Sequence, residues 1–362
     1  TMESLMLIVR APVRISLAGG GTDLSAYYEP FGGLVVGTTI NKYFYAILQD
    51  SGRAGVQLSS SDYATLYYHA PGEEMAWDGD LRLPRAILHH FGINTGVEVF
   101  LACQVPPGTG LGSSSAAAVA LVKGLSTLTG RPLSTLELAE EACAIEIEKL
   151  GMPIGKQDQY FAAFGGLNAI TFSAAGCAPR PLRVTEATRR TLEANLMLFF
   201  TGTAHTSTHI LAAQREATAR QRSGVIEALH HIKGLAERAI VALEGDQPDR
   251  IGELLHENWI QKKRLASGIT NAAIDEDYSE ALAQGALGGK ITGAGGGGFL
   301  MLYCPQERQE RVTKALEARG LRRMDFGFDT EGARVLLNAG REHDGDAPRW
   351  DMRRSPPLGP RA

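Results

Sequence analysis

Three stretches of this chain combine residue types and spacings that bear on chemistry. The first is P-P-G-T-G-L-G-S-S-S-A-A-A, residues 106 to 118. Gly108, Gly110 and Gly112 free the backbone for tight turns and close approach to a ligand. Ser113, Ser114 and Ser115 follow where a helix is expected to begin. Free N–H groups and the helix dipole at such a start attract an anion. Phosphate is the natural one, because it offers several acceptor oxygens. Plain capping would need one serine, and three spaced glycines before three serines exceed that need. The expected phosphate cradle runs through Pro107, Gly108, Thr109, Gly110, Leu111, Gly112, Ser113, Ser114 and Ser115. A P-loop is excluded, since no lysine follows Gly112, and a dinucleotide fingerprint fails at Ser113.

The second stretch is K-I-T-G-A-G-G-G-G-F, residues 290 to 299. Gly293, Gly295 and Gly298 formally satisfy GxGxxG, but they lead into the strand-like FLMLYC instead of a helix. A loop shaped against a ligand, or against the first glycine loop, is expected there. A flexible linker fits less well, because apolar sequence flanks both sides.

The third stretch covers residues 145 to 166. Glu146 and Glu148 fall in the last turns of a helix expected to stop at Gly151. Acids at a helix C-terminus cost ~0.3–1 kcal/mol each against the dipole. A bound cation would offset that cost, so one of them is a candidate metal ligand. Asp158 is expected in a loop beside Tyr160 and Phe164, a setting for a carboxylate that takes a proton or orients a hydroxyl. A solvated helix face and a turn-forming aspartate fit these residues equally, and the segment alone does not choose.

The elements around these stretches follow from periodicity and punctuation. The runs LMLIVRAPV, RISLAGG, GLVVGTTI and YFYAIL are expected as four strands. VEVFLACQVPP is another, ending before a helix from about Ser114 to Thr129. A second helix starts at Ser134, whose spacing to Glu137 makes a capping box. GLNAITF is a strand, followed by a polar loop to about residue 190. LMLFFTG is a strand, and helices fill about 205 to 244 with a break near Ser223 and Gly224. A helix after Pro248, the strand FLMLYCP, the helix QERQERVTKALEARG and the strand ARVLLNA complete the order. The class is α+β with two domains, residues 1–190 and 191–341, and a flexible polar tail, 342–362.

Length and charge limit the alternatives. The chain has 362 residues, enough for two buried cores, and a formal charge of -4. That balance gives no basic face for nucleic acid or an anionic membrane. Four scattered cysteines without a CxxC pair are expected as free thiols in a reducing compartment, hence a cytoplasmic location. No window approaches ~20 apolar residues, so no spanning helix is expected.

Taken together, the motifs resemble the GHMP kinase superfamily, which contains galactokinase, homoserine kinase and mevalonate kinase. Its first motif is similar to R-A-P-V-R-I-S-L-A-G-G-G-T-D, its second to P-P-G-T-G-L-G-S-S-S-A-A and its third to K-I-T-G-A-G-G-G-G-F. The resemblance implies a ribosomal-protein-S5-like N-terminal domain, a ferredoxin-like C-terminal domain and an active site between them. It implies ATP and Mg2+ as cofactors. G-M-P-I-G-K-Q-D-Q is similar without a gap to galactokinase's G-M-P-C-G-I-M-D-Q. The match implies Asp158 as catalytic aspartate, Glu146 (not Glu148) and Ser114 as metal ligands, and Arg14 beside the transferred phosphoryl. Asp23 corresponds to the sugar-contacting aspartate, with Gly20, Gly21, Thr22 and Gln157 around it. Galactokinase has G-E-H-T-D where this chain has G-G-G-T-D, which argues against galactose.

A-G-G-G-T-D-L with G-K-Q-D-Q-Y is most similar to the D-glycero-D-manno-heptose 7-phosphate kinase subgroup. The expected partners are then ATP and a small sugar phosphate, with the anomeric hydroxyl as acceptor and surface polysaccharide synthesis as destination. A homo-oligomer is left open. Another sugar 1-kinase, for fucose, arabinose or galactose, is the rival within the superfamily, and a non-catalytic sensor the rival outside catalysis. Intact Asp158, Glu146 and Ser114 argue against the sensor. A substrate's own phosphate needs a second anion site. Thr203 and His205 at a helix start fit one, as does simple capping, and Lys42, Lys156, Lys290, Arg14 and Arg215 are the cations considered. Gly295 and Gly296 are expected to touch substrate. Tyr68, Trp77 and Arg82 are considered for a base pocket, with core packing the default for the aromatics.

Overall fold

The computed structural model describes residues 5–79, 81–202 and 208–339. Its backbone is Met6–Ala18 paired antiparallel with Gly33–Asp50, two long strands where four short ones were expected. Pro12 has no N–H for the ladder, and the register jumps there from Pro12 opposite Tyr43 to Val13 opposite Ile40. Met6 to Arg10 alternate in burial, whereas the five successive residues Ala11 to Ile15, which span the jump, are all buried. Arg14 lies in that buried stretch. The link between the strands contains a helix, Ser25–Phe31, with Pro30 inside it. Seven residues ending around a proline give too little period to show in sequence.

A nine-stranded sheet grows on this pair. Val97–Cys103 and Leu167–Ser173 both pair with Gly33–Asp50. The polar segment after Leu167–Ser173 is not a loop. Gly176–Pro181 pairs with it as a hairpin, and Glu186–Asn195 is a helix capped by Thr185. The hairpin strand is mostly exposed and the helix buries only Thr188, Leu192 and Asn195, so neither carries an apolar stripe. Phe328–Asp329 and Arg334–Ala339 return to this same sheet, across the boundary expected near residue 190.

The second sheet has four antiparallel strands in the order Arg322–Met324, Leu196–Phe200, Phe299–Tyr303 and Gly288–Ile291. Helices Arg250–Lys262, Ala272–Ala283 and Gln306–Ala318 pack on it, Ser223–Glu244 packs on Arg250–Lys262 and on the two long strands of the first sheet, and Thr208–Ala219 packs on Ser25–Phe31 and Ser223–Glu244. Ala272–Ala283 went unnoticed in sequence, although Asn271 caps it by accepting from the Ile274 N–H. The α+β class holds.

Two helices place the chemistry. Ser113–Leu128 follows the glycine loop as expected and is buried almost all round. Thr135–Cys143 begins with both capping-box hydrogen bonds at Ser134 and Glu137. It does not run regularly to Gly151. Ala144–Lys149 widens into a π-helical turn, with the Leu150 N–H on the Ile145 carbonyl at 3.0 Å. Such turns recur at functional sites because they re-aim one side chain. All four cysteines are free.

Candidate active site

The two glycine segments pack directly on one another. Gly110 has φ +79°, and a Cβ there would sit 2.5 Å from the Thr292 carbonyl oxygen. A Cβ on Gly293 would in turn collide with Gly110. Thr292 Oγ1 donates to the Thr109 carbonyl at 3.1 Å. The third motif thus lies against the first glycine loop, one of the two roles expected for it. Gly293 and Ala294 line the cavity beyond. Gly295 and Gly296 do not: they pack on Ile269, and the Gly296 N–H donates to its carbonyl at 2.8 Å.

Arg14 ties the loop to the acid. Its backbone N–H donates to the Leu111 carbonyl at 2.9 Å, and its Nη1 to the Gly110 carbonyl at 2.7 Å. Nε and Nη2 each stand 2.7 Å from Asp158 Oδ1. Both nitrogens hold the one oxygen, which pins Asp158 Oδ1 beside the loop. Asp158 is not in a loop. It occupies the first turn of the helix Gln157–Phe164, where the dipole favours a negative charge. The chain passes it at Gly112, where a Cβ would meet Asp158 Oδ2 at 3.1 Å.

Glu146 sits in the π-turn and is fully buried, while Glu148 is exposed. Ser114 Oγ donates to Glu146 Oε1 at 3.1 Å and Gln159 Nε2 to Oε2 at 2.6 Å. Burial pushes its pKa up to about 7, partly countered by hydrogen bonds from Ser115, Gln159 and Ser114 and reinforced by Asp158.

Asp23 is nearly as buried. It accepts from the Gly21 N–H at 3.0 Å, the Gln157 N–H at 3.1 Å and Gln157 Nε2 at 3.0 Å. Burial, then the Asp158 charge, raises its pKa against those hydrogen bonds. Thr22 has a different role from the one expected. It is fully buried, 2.7 Å from the Gly19 carbonyl, and accepts the Leu34 N–H at 3.1 Å, so it shapes the turn. Thr109 likewise donates inward to Pro106 at 2.7 Å, and Leu111 is core. Those two can offer the ligand only backbone.

One cavity of about 180 Å³ brings together Arg14, Gly20, Gly21, Asp23, Gly108, Gly110, Gly112, Ser113 to Ser115, Glu146, Gln157 and Asp158. Sequence reasoning missed its other wall, formed by Gln214, Asn258 and Lys262 with the already considered Lys290. Lys262 Nζ donates to the Ile291 and Gly293 carbonyls at 2.8 and 2.5 Å. The residue keeps partial exposure, but its bonded ammonium is enclosed, and burial with the nearby Arg14 lowers its pKa to about 7. Lys290 is buried and its pKa falls well below the ordinary value, from burial first and then from Lys262 and Arg14. Among the other cations considered, Lys42, Lys156 and Arg215 do not line this cavity. Thr203 and His205 lie outside the described residues.

A second cavity of about 480 Å³ adjoins the serine triplet. Pro107, Ser113 and Ser114 form one side; Phe44, Leu81, Leu101 and Pro153 make it apolar. Arg82 lines it, whereas Trp77 packs under Lys149 Nζ at 4.5 Å and against His89. Tyr68 is not among its residues and donates to the Ala54 carbonyl at 3.0 Å. No described helix is long and apolar enough to cross a membrane.

This arrangement can cradle a polyphosphate beside a clamped carboxylate, and comparison with known proteins agrees. Residues 81–166 match the GHMP kinases N-terminal domain and residues 239–321 the GHMP kinases C-terminal domain. The chain is 30% identical over 331 residues to D-glycero-alpha-D-manno-heptose 7-phosphate kinase of Campylobacter jejuni, covering 90% of this chain and 97% of that protein. The crystal structure of a D-glycero-D-manno-heptose 1-phosphate kinase from Bacteroides thetaiotaomicron superposes with a TM-score of 0.75 at 29% identity, covering 91% of this chain and 99% of the other. Lactococcus lactis galactokinase shares the fold, with a TM-score of 0.74 at 20% identity over 91% of this chain and 95% of its own. The chain belongs to the GHMP kinase family and is an ATP-dependent phosphotransferase acting on a hydroxyl group.

Proposed function

We propose that this kinase transfers the γ-phosphoryl of ATP to the anomeric hydroxyl of D-glycero-D-manno-heptose 7-phosphate. The product is the 1,7-bisphosphate, made in the cytoplasm for surface polysaccharide synthesis. The observation that carries the reading is Asp158 Oδ1 held 2.7 Å from the Arg14 guanidinium, against the glycine loop. Names carried by relatives support the sugar: a heptose 7-phosphate kinase over nearly the full chain, and a heptose-phosphate kinase in the structural comparison.

In this reading the β- and γ-phosphates lie over Gly108 to Ser115, on free N–H groups at the start of Ser113–Leu128. The apolar second cavity beside Ser113 takes the nucleotide base. The sugar lies between Asp158 and Asp23. Asp158 orients the anomeric hydroxyl and accepts its proton. That hydroxyl is more acidic than an ordinary alcohol, so a carboxylate suffices. Arg14 holds Asp158 in place and stabilises charge on the reacting oxygens. Alignment supplies most of the rate, because phosphoryl transfer needs little covalent help.

The residues also fit Mg2+. Glu146 is a fully buried carboxylate with hydroxyl and amide donors but no cation partner among its hydrogen bonds. Mg2+ asks for one or two carboxylates plus phosphates and water, so the absence of a three-acid cluster among the described residues is compatible. Glu146 and Ser114 would hold it, and it would neutralise phosphate charge.

A panel of sugars with ATP and Mg2+, read by ADP release, tests the proposal. Turnover with heptose 7-phosphate and not with mannose, fucose or galactose is expected. Preference for an unphosphorylated sugar would overturn the substrate. No turnover with any sugar would overturn a sugar as the acceptor.

A further inference from the structure

Four buried polar atoms on residues lining the first cavity have no hydrogen-bond partner among the described residues. They are Ser16 Oγ, Gln157 Oε1, Gln214 Nε2 and Asn258 Nδ2. Buried amides are rarely left unpaired, and three of the unpaired ones, on Gln157, Gln214 and Asn258, line this one space, with only Gln159 Oε1 elsewhere among the described residues.

Two of the amides have their orientation fixed by what binds the other end. Asn258, on the helix Arg250–Lys262, is 2% exposed. Its Oδ1 accepts from Lys290 Nζ at 3.0 Å. Lys290 Nζ donates here, so the carbonyl end of Asn258 faces it and the NH2 end is the free one. Lys290 is itself held by the Leu17 carbonyl at 3.2 Å, which keeps that assignment rigid. Gln157 is the mirror case. Its Nε2 donates to Asp23 Oδ1 at 3.0 Å, which leaves Oε1 as a free acceptor. Gln214, 4% exposed, adds a third amide beside Gly21, where a Cβ would come within 2.6 Å of its Nε2.

The cavity therefore presents a fixed donor from the C-terminal half and a fixed acceptor from the N-terminal half. A hydroxyl group satisfies either. We propose that Asn258 is a specificity-determining residue of the acceptor site, donating through Nδ2 to one hydroxyl of the sugar while Gln157 Oε1 accepts from another. This rests on the sugar-kinase reading and deepens it. One polyhydroxylated ligand then bridges both halves of the chain. A sugar lacking the hydroxyl that Asn258 reads leaves the amide buried and unpaired, and is rejected.

The test is steady-state kinetics of wild type and Asn258→Asp with ATP, Mg2+ and the sugar that the wild type uses best. Aspartate keeps the shape and the acceptor for Lys290 but has no hydrogen to donate. The sugar KM is expected to rise at least tenfold, with the ATP KM within twofold. A sugar KM within twofold of wild type, or equal rises in both KM values, would overturn the assignment. A deoxy-sugar series on the wild type gives a readout independent of the variant's folding. One deoxy position should cost at least tenfold in kcat/KM, and that penalty should vanish in Asn258→Asp. A uniform penalty at every position would contradict the proposal. Failure of the wild type on every sugar would remove the sugar-kinase reading and this inference together. An active wild type with an indifferent Asn258→Asp removes the inference alone.

Discussion

Arg14 grips Asp158 Oδ1 through two nitrogens at 2.7 Å while a third donates to the Gly110 carbonyl at 2.7 Å. One guanidinium therefore sets the distance between the acid and the phosphate loop. A lysine keeps the charge but cannot make that fork. Arg14→Lys is expected to lower kcat at least tenfold in an ADP-release assay, with a smaller change in ATP affinity. Wild-type kcat in this variant would mean the fork is dispensable.

The loop itself is predicted to tolerate no side chain at Gly110. Alanine there faces both φ +79° and the Thr292 backbone at 2.5 Å, which cannot swing away. Strain of this kind costs ~1–3 kcal/mol. Gly110→Ala should lower the denaturation midpoint and weaken ATP binding. Gly72 has a similar φ of +80° with nothing within 4 Å, so Gly72→Ala should leave ATP binding unchanged. Equal ATP affinities in the two variants would contradict the contact argument.

Much of this was legible in the chain, and the reasons differ by residue. The glycine–serine stretch stands out because few other functions need it, and the helix it starts is found at Ser113–Leu128. The Ser134 capping box is a local hydrogen-bond pattern and is realised. Glu146 was separable from Glu148 only through the ungapped resemblance, because the π-turn that buries one and exposes the other has no compositional mark. Asn258 and Gln214 were invisible, since each is one polar residue on a helix whose pattern reports only its core face. Of the second cavity only Arg82 was singled out for a base pocket, because its lining runs from Phe44 to Leu211 and no local motif gathers it.

The metal assignment separates the two glutamates. Glu146→Gln should raise the Mg2+ concentration for half-maximal activity at least tenfold. Glu148 is exposed, and Glu148→Gln should stay within twofold. The reverse result would shift the metal site by two residues.

Stability should depend on pH through Lys262. Its folded pKa is lowered to about 7 from an ordinary value of 10.5, by burial first and Arg14 second. Between these values the unfolded chain binds a proton that the folded chain does not. The contribution of this group to stability therefore rises with pH across that window. Denaturation midpoints at pH 7.5 and 9.5 should rise more in wild type than in Lys262→Met. Identical changes in both proteins would refute the assignment.

The most direct measurement concerns the carboxylate that faces the loop. Asp158→Asn keeps the size of the side chain and removes its capacity to take a proton. Measured together, kcat should fall by ~10²–10⁴ while the ATP dissociation constant stays within a few-fold of wild type. Undiminished turnover, or loss of nucleotide binding in parallel with turnover, would contradict the role given to Asp158.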